Sequence, residues 1–404
     1  MEELLERRRG FCSAMTRRYP GWQTAVFTDA VNQYYLTGTI QDGVVFVVRR
    51  HDDESRLVFG VRRSFSRARE ESPLFDSAGI ELLQIHSYRD MAEKIGADLG
   101  VTYVEGDTLS LAVLERLKKY FTFSVPSGGA GFLDQVIREV RSVKSEAEIA
   151  VMRRCGEAHR ILMEEHIPRL LREGISEAEF LGEVCGQMFK LGYQGITRFH
   201  QCQSELCFGQ IGFGTNSLYP SMFDGPGGAK GNCAASPFGA DGKRRLKKGD
   251  AVFVDLGFAM DGYHTDKTQV YFLGEKPPIE FIQVQQFCLD LQKQIAEKLV
   301  PGAIPSKIYG EIMESLSPAQ QDCFMGVDNL HRVKFLGHGV GLDTDELPVI
   351  AKSFDAPLVA NMTLAIEPKK AIPGAGMFGV EDTFLVTEHG GECITGAGRD
   401  IICL

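Results

Sequence analysis

The sequence predicts an α+β protein of two domains, and three observations predict it. Residues 1 to about 127 alternate short β-rich runs with polar, helix-compatible stretches. A helical period follows, and two β-hairpins bearing in-strand carboxylates close the chain. In the first part, Thr24–Phe27, Gly43–Val48, Arg56–Phe59, Leu82–Ile85 and Thr102–Val104 read as strands and Tyr88–Leu99 as a helix, an α/β domain over residues 1–127. The glycine-rich stretch 125–131 reads as a linker. In the second part, residues 128–404, Leu133, Val136, Ile137 and Val140, then Ile149, Met152 and Cys155, recur at three- and four-residue spacing, the mark of helix. Further helices are expected over Ser176–Leu191, Ile279–Val300 and Ser306–Ser317. Residues 206–240 are rich in glycine and aromatics and read as β-structure and pocket-forming loops. No strand, GxGxxG, helix order surrounds those glycines, so a dinucleotide site is not expected.

Composition narrows the function. The 404 residues suffice for two sizeable cores, with hydrophobic and charged fractions of an ordinary globular protein. A net charge of −10 without a basic block argues against nucleic acid as the main partner; Lys243–Lys248 reads as a solvated loop before a strand. Ten scattered cysteines lack Cys-x-x-Cys spacing and read as reduced thiols of a cytoplasmic protein. The N-terminal run has no apolar core for export, and no stretch of some eighteen apolar residues occurs, so no membrane partner is expected.

The chemistry lies in the hairpins. In AVFVDLGFAMDGYHTDKTQVYF, Asp261-Gly262 is a strong tight-turn signal. A two-residue turn sets Asp255 opposite Thr268 and Asp266 opposite Gly257, and strand alternation then puts Asp255, Asp266, Thr268 and His264 on one face. Asp255 interrupts the apolar run from Ala251, where an unpaired buried carboxylate would cost several kcal/mol, so something cationic must compensate it. In MTLAIEPKKAIPGAGMFGVEDTFLVT, an odd-length connection around Pro373–Gly376 sets Glu367 opposite Glu381. Between the hairpins, His338 stands among glycines that let the backbone approach a site. Four carboxylates and an imidazole, with no thiolate, suit a pair of divalent ions, with Mn²⁺, Co²⁺, Fe²⁺ and Zn²⁺ all matching the donors. Such a pair generates hydroxide at neutral pH and clamps a tetrahedral transition state, which points to hydrolysis.

The blocks VDLGFAMDGYHTDKT, FLGHGVGL, LAIEP and VEDTFLVT resemble the metal-binding blocks of the peptidase family M24, which includes aminopeptidase P, prolidase, creatinase and methionine aminopeptidase. Tyr34–Gly38 and Arg141–Ile149 resemble the N-terminal domain of its creatinase and prolidase branch and the entry to its catalytic domain. The resemblance implies a pita-bread catalytic domain, a curved antiparallel sheet with helices, and two divalent ions, Mn²⁺ foremost. Asp255 and Asp266 would hold the first ion with Glu381, while Asp266 and Glu381 bridge to a second completed by His338 and Glu367. Glu367 would also be the base. The implied activity is that of an Xaa-Pro aminopeptidase or dipeptidase, cleaving an amide of a peptide or peptide-like small molecule, in a homodimer.

The chain also departs from that pattern. Phe238 and Asp345 stand where helper histidines are expected and Gly379 where an arginine is expected, all three at substrate-binding positions. Those histidines stabilise the tetrahedral intermediate, an effect worth a few kcal/mol per donor. Phe238 offers only apolar contact, and an ionised Asp345 opposes an oxyanion; it is protonated, turned away, paired with a cationic part of the substrate, or a loop cap. His264, on the same side of its strand as Asp266, is a candidate catalytic replacement or a supporting or solvent-facing group. His200 is a further candidate, whose distance from the ligands the sequence does not give. Two alternatives stay open: a hydrolase or lyase of a small non-peptide molecule on the same fold, and a metal-binding protein without peptidase activity.

Overall fold

The protein is described from a computed structural model covering residues 2–49, 55–72, 80–129, 131–199 and 208–404. It divides into two compact units, Met1–Arg141 and Ser142–Leu404, so the boundary expected near residue 127 lies inside the first unit.

The first unit is built on a six-stranded mixed sheet, ordered Ile80–Gln84, Ser55–Val61, Gly43–Arg49, Thr24–Phe27, Asp98–Val104, Thr122–Ser124. Val26, Val44, Phe46 and Val58 fill one face of it with Ile85, Met91 and Leu117. The expected helix at Tyr88 ends at Ile95 rather than Leu99, because Gly96 takes a positive φ of 93° and Leu99 enters the next strand. The helix Glu2–Arg18 was not foreseen; it buries Leu4, Phe11 and Met15 beneath a charged exterior.

In the second unit, capping boxes at Ser145 and Ser176 start the helices Glu146–Ile161 and Glu177–Lys190. Three sheets follow. Gly209–Phe213, Ala251–Met260, Tyr263–Phe272 and Ile402–Cys403 form a four-stranded sheet; Glu346–Ala351, Phe335–Gly339, Thr363–Ile366, Asp382–Thr387 and Gly390–Cys393 form a five-stranded one. The ribbon Lys369–Ile372 with Gly376–Gly379 is the third. Helix Ile279–Ala296 buries Leu291 and Ile295 in a core shared with Leu336, Leu364 and Phe384. Eight described cysteines are free, and Cys202 and Cys207 lie outside the described residues.

Glu177 ties helix to sheet. Its two carboxylate oxygens accept the Phe213 and Asp241 N–H groups at 2.7 and 2.8 Å, and burial pushes its carboxyl up to about 7. The folded state therefore keeps a proton that the unfolded chain, with its ordinary Glu value near 4.5, has released. This contribution to stability is complete at low pH and is lost as pH rises through about 7, at most on the order of 3 kcal/mol. Glu177→Gln is expected to flatten that part of the profile, read by denaturant unfolding at pH 4.5, 6 and 7.5.

Candidate active site

The first hairpin takes the expected register. Asp255 lies opposite Thr268 and Gly257 opposite Asp266, and Asp261 and Gly262 turn the chain with φ of 48° and 89°. Both strands are buried almost throughout, so a carboxylate on the inner face must find partners inside the protein. The second hairpin pairs Ile366 with Asp382 and, beyond a break, Lys369 with Gly379. Continuing either register sets Glu367 against Glu381, and the turn residues 373–375 are odd in number, as expected. The hairpins join where Thr268 N–H donates to the Glu381 carbonyl at 3.1 Å and Asp266 N–H to Thr383 Oγ1 at 2.9 Å. His338 enters from the neighbouring strand, opposite Ala365.

All five expected ligands line one cleft, or floor it, with Phe238 and Asp345. The ligand atoms of Asp266, His338 and Glu381 lie within 4.8 Å of one another, close enough to hold one metal ion. His338 Nε2 faces Glu367 Oε1 at 3.5 Å and Glu381 Oε1 at 3.7 Å. Its other nitrogen, Nδ1, lies 3.1 Å from the Gly339 carbonyl and 3.4 Å from Asp345. The Gly339 carbonyl and Asp345 thus hold Nδ1, and Nε2 is the nitrogen turned to Glu367 and Glu381.

The cation demanded by Asp255 is a side chain. Lys369, fully buried, places Nζ at 2.9 Å from Asp255, 2.8 Å from Glu367 and 2.7 Å from Glu381. An ammonium has three donors and no acceptor, and here each donor has a carboxylate. Two ions were expected among the five ligands; Asp255 and one oxygen each of Glu367 and Glu381 instead face this ammonium. Charge and burial set the site's acidities. Burial among like charges pushes Asp255 up to about 6 and Glu367 up to about 8. Glu381 is held below its ordinary value because Lys369 and His338 outweigh its burial. Against the cost of burial, the three carboxylates keep Lys369 charged well above its usual range.

Two expected roles are corrected. His264 does not face the carboxylates as a catalytic group: its Nδ1 donates to the Gly341 carbonyl at 3.0 Å, and its Nε2 accepts the Arg198 N–H at 3.0 Å. Fully buried and held neutral, with its value lowered to about 4, it latches two loops. His264→Ala is expected to cost about 1–3 kcal/mol of stability, through the unpaired Arg198 N–H, without changing the shape of a pH–rate profile. Gly379 does not line the cleft as a substrate-binding residue. It lies behind Lys369, bonded through its N–H and carbonyl to the Gln285 side chain. Phe238 does line the cleft, in a wall with Phe223 and Phe199 whose successive ring centroids are 4.8 and 5.4 Å apart. His200 lies outside the described residues.

Sequence reasoning missed Lys369 and Gln210. Gln210 pairs opposite Asp255, lines the cleft, and has a buried Oε1 without a hydrogen-bond partner among the described residues. Lys369 could have been found from alternation, since it lies two residues past Glu367 and shares its face.

Residues 150–388 match the family description Metallopeptidase family M24, and residues 14–143 match the Creatinase/Prolidase N-terminal domain. The chain belongs to metallopeptidase family M24. This M24 chain is 26% identical to the Xaa-Pro dipeptidase of Pyrococcus furiosus over 378 residues, 92% of this chain and 93% of that one. It is 28% identical to a putative dipeptidase of Bacillus subtilis over 303 residues, 74% and 72% of the two. Among solved structures it resembles the Xaa-Pro dipeptidase from Bacillus anthracis, at 21% identity and a TM-score of 0.75 over 99% of this chain and 100% of that one. The prolidase from Pyrococcus furiosus gives 23% and 0.72 over 96% and 100%. The fold is therefore the pita bread with a creatinase-type N-terminal domain, and the M24 chain is a metallopeptidase-like hydrolase.

Proposed function

We propose that this M24 protein hydrolyses an amide bond of a peptide or peptide-like small molecule, with Glu367 as the general base. The observation that carries the reading is the placement of Glu367 in the lining of the cleft, buried, with one oxygen on Lys369 and the other toward His338. Burial raises this carboxyl above the ordinary Glu range, toward the neutral range in which a general base works. Asp266, His338 and Glu381 fit a divalent ion by donor type and by the convergence of their atoms, and Mn²⁺ is the proposed occupant. That ion would supply Lewis acidity at the scissile carbonyl.

The remaining chemistry belongs to side chains. Glu367 takes a proton from the attacking water and returns it to the departing amine. The Oε1 of Gln210, a buried acceptor with no partner among the described residues, accepts a substrate N–H. Asp345 and Asp224 line the cleft and attract a cationic amino group, while the Phe199, Phe223 and Phe238 wall takes the apolar part of the substrate. Homodimeric assembly is proposed on family resemblance and a cytoplasmic setting on the scattered cysteines; no helix among the described residues is long and apolar enough to cross a membrane.

The test is turnover on Xaa-Pro dipeptides, longer Xaa-Pro peptides and non-peptide amides, with Glu367→Ala as control. Hydrolysis of at least one panel member that vanishes in the control supports the reading. Bound metal without any Glu367-dependent turnover overturns it in favour of a binding protein. With a substrate in hand, Phe238→His is expected to raise peptide hydrolysis by restoring a donor to the intermediate.

A further inference from the structure

We propose that Lys369 is a built-in cation that replaces one of two metal ions, leaving a single divalent-ion site at Asp266, His338 and Glu381. The inference rests on the functional reading above only for the choice of a divalent ion as occupant. Its geometry is independent of any activity.

The ammonium stands where a metal bound by Asp255 and Glu381 would have to stand. It draws one oxygen from each of Asp255, Glu367 and Glu381 to within 2.7–2.9 Å. An ion sharing those oxygens would need them at about 2.0–2.2 Å, which leaves no room for Nζ among them. Glu381 divides the site: Oε2 faces Lys369 and accepts from Thr268 Oγ1 at 3.0 Å, while Oε1 faces His338. One half is thus saturated by hydrogen bonds, and the other presents converging ligand atoms.

Gly379 lies directly across the ribbon from Lys369, with φ of 141°. A Cβ there would meet the ribbon's own backbone first, 2.4 Å from the Pro368 carbonyl oxygen and 2.7 Å from Lys369 Cα, and then the lysine Cγ at 3.0 Å. The close approach of the two strands beside the lysine therefore requires glycine at 379. The face of Phe253 completes the enclosure, 5.8 Å from Nζ.

Charge agrees with this count. Asp255, Asp266, Glu367 and Glu381, fully ionised, carry four negative charges; the ammonium leaves three, which one divalent ion reduces to one. Admitting a second ion requires the fully buried ammonium to abandon all three carboxylates at once.

The test counts Mn²⁺ per chain by equilibrium dialysis at saturation, with electron paramagnetic resonance of the same samples. Expected are one Mn²⁺ per wild-type chain with an uncoupled signal, and two per Lys369→Gly chain with an exchange-coupled signal. Two ions in the wild type, or none, overturn the inference, as does a Lys369→Gly protein that folds and still holds one. If that variant does not fold, the wild-type count decides. Failure of the hydrolase reading is seen separately, as absence of Glu367-dependent turnover at any stoichiometry.

Discussion

Glu367→Gln is expected to lower kcat/KM by roughly 10²–10⁴-fold, the range for loss of a positioned general base, while the melting temperature changes little. The amide keeps the volume of the carboxylate, and its oxygen can still accept from Lys369, so the scaffold retains its contact. What is lost is the ability to take a proton. An acidic limb of the wild-type rate profile that depends on this group should vanish with it. A loss below tenfold on a substrate the wild type turns over would mean that another group is the base.

Lys369→Met has the largest expected effect on stability. Methionine fills most of the lysine's volume but leaves Asp255, Glu367 and Glu381 buried without their shared cation. Removing one partner of a buried ionic group costs about 3–5 kcal/mol, which for a unit of this size is a melting temperature lower by roughly 10 °C. The deficit should grow with pH. Without the ammonium the carboxylates are raised further, so the folded state holds protons the unfolded chain has lost, and stability falls as pH rises. Thermal unfolding of chelator-treated protein at pH 5 and pH 8 measures both effects. An unchanged midpoint at pH 8 would show that the carboxylates do not depend on Lys369.

Much of the site could be read from the chain because strand alternation and turn length are local. Asp261-Gly262 specified the first hairpin's register, and the odd turn around Pro373 specified the facing of Glu367 and Glu381. The requirement for a cation near Asp255 followed from burial alone. Its identity did not: alternation from Glu367 puts Lys369 on the same face, but no local pattern says that this lysine is buried on the carboxylates while Lys370 meets the Asp322 carbonyl. His264 shows the opposite limit. Alternation placed it on the side of Asp266, but its ring is held by Arg198 and Gly341, 66 and 77 residues away, where no local pattern reaches. In the first unit, Gly96 decided where helix gave way to strand, and that depends on its positive φ.

A metal centre in which a lysine stands for one ion is tested by a crystal structure of the protein soaked with excess Mn²⁺, with the ions located by anomalous scattering. Expected is one ion on Asp266, His338 and Glu381, with Lys369 still bonded to Asp255, Glu367 and Glu381. Two ions bridged by Asp266 and Glu381, with the Lys369 side chain displaced from the carboxylates, would contradict it.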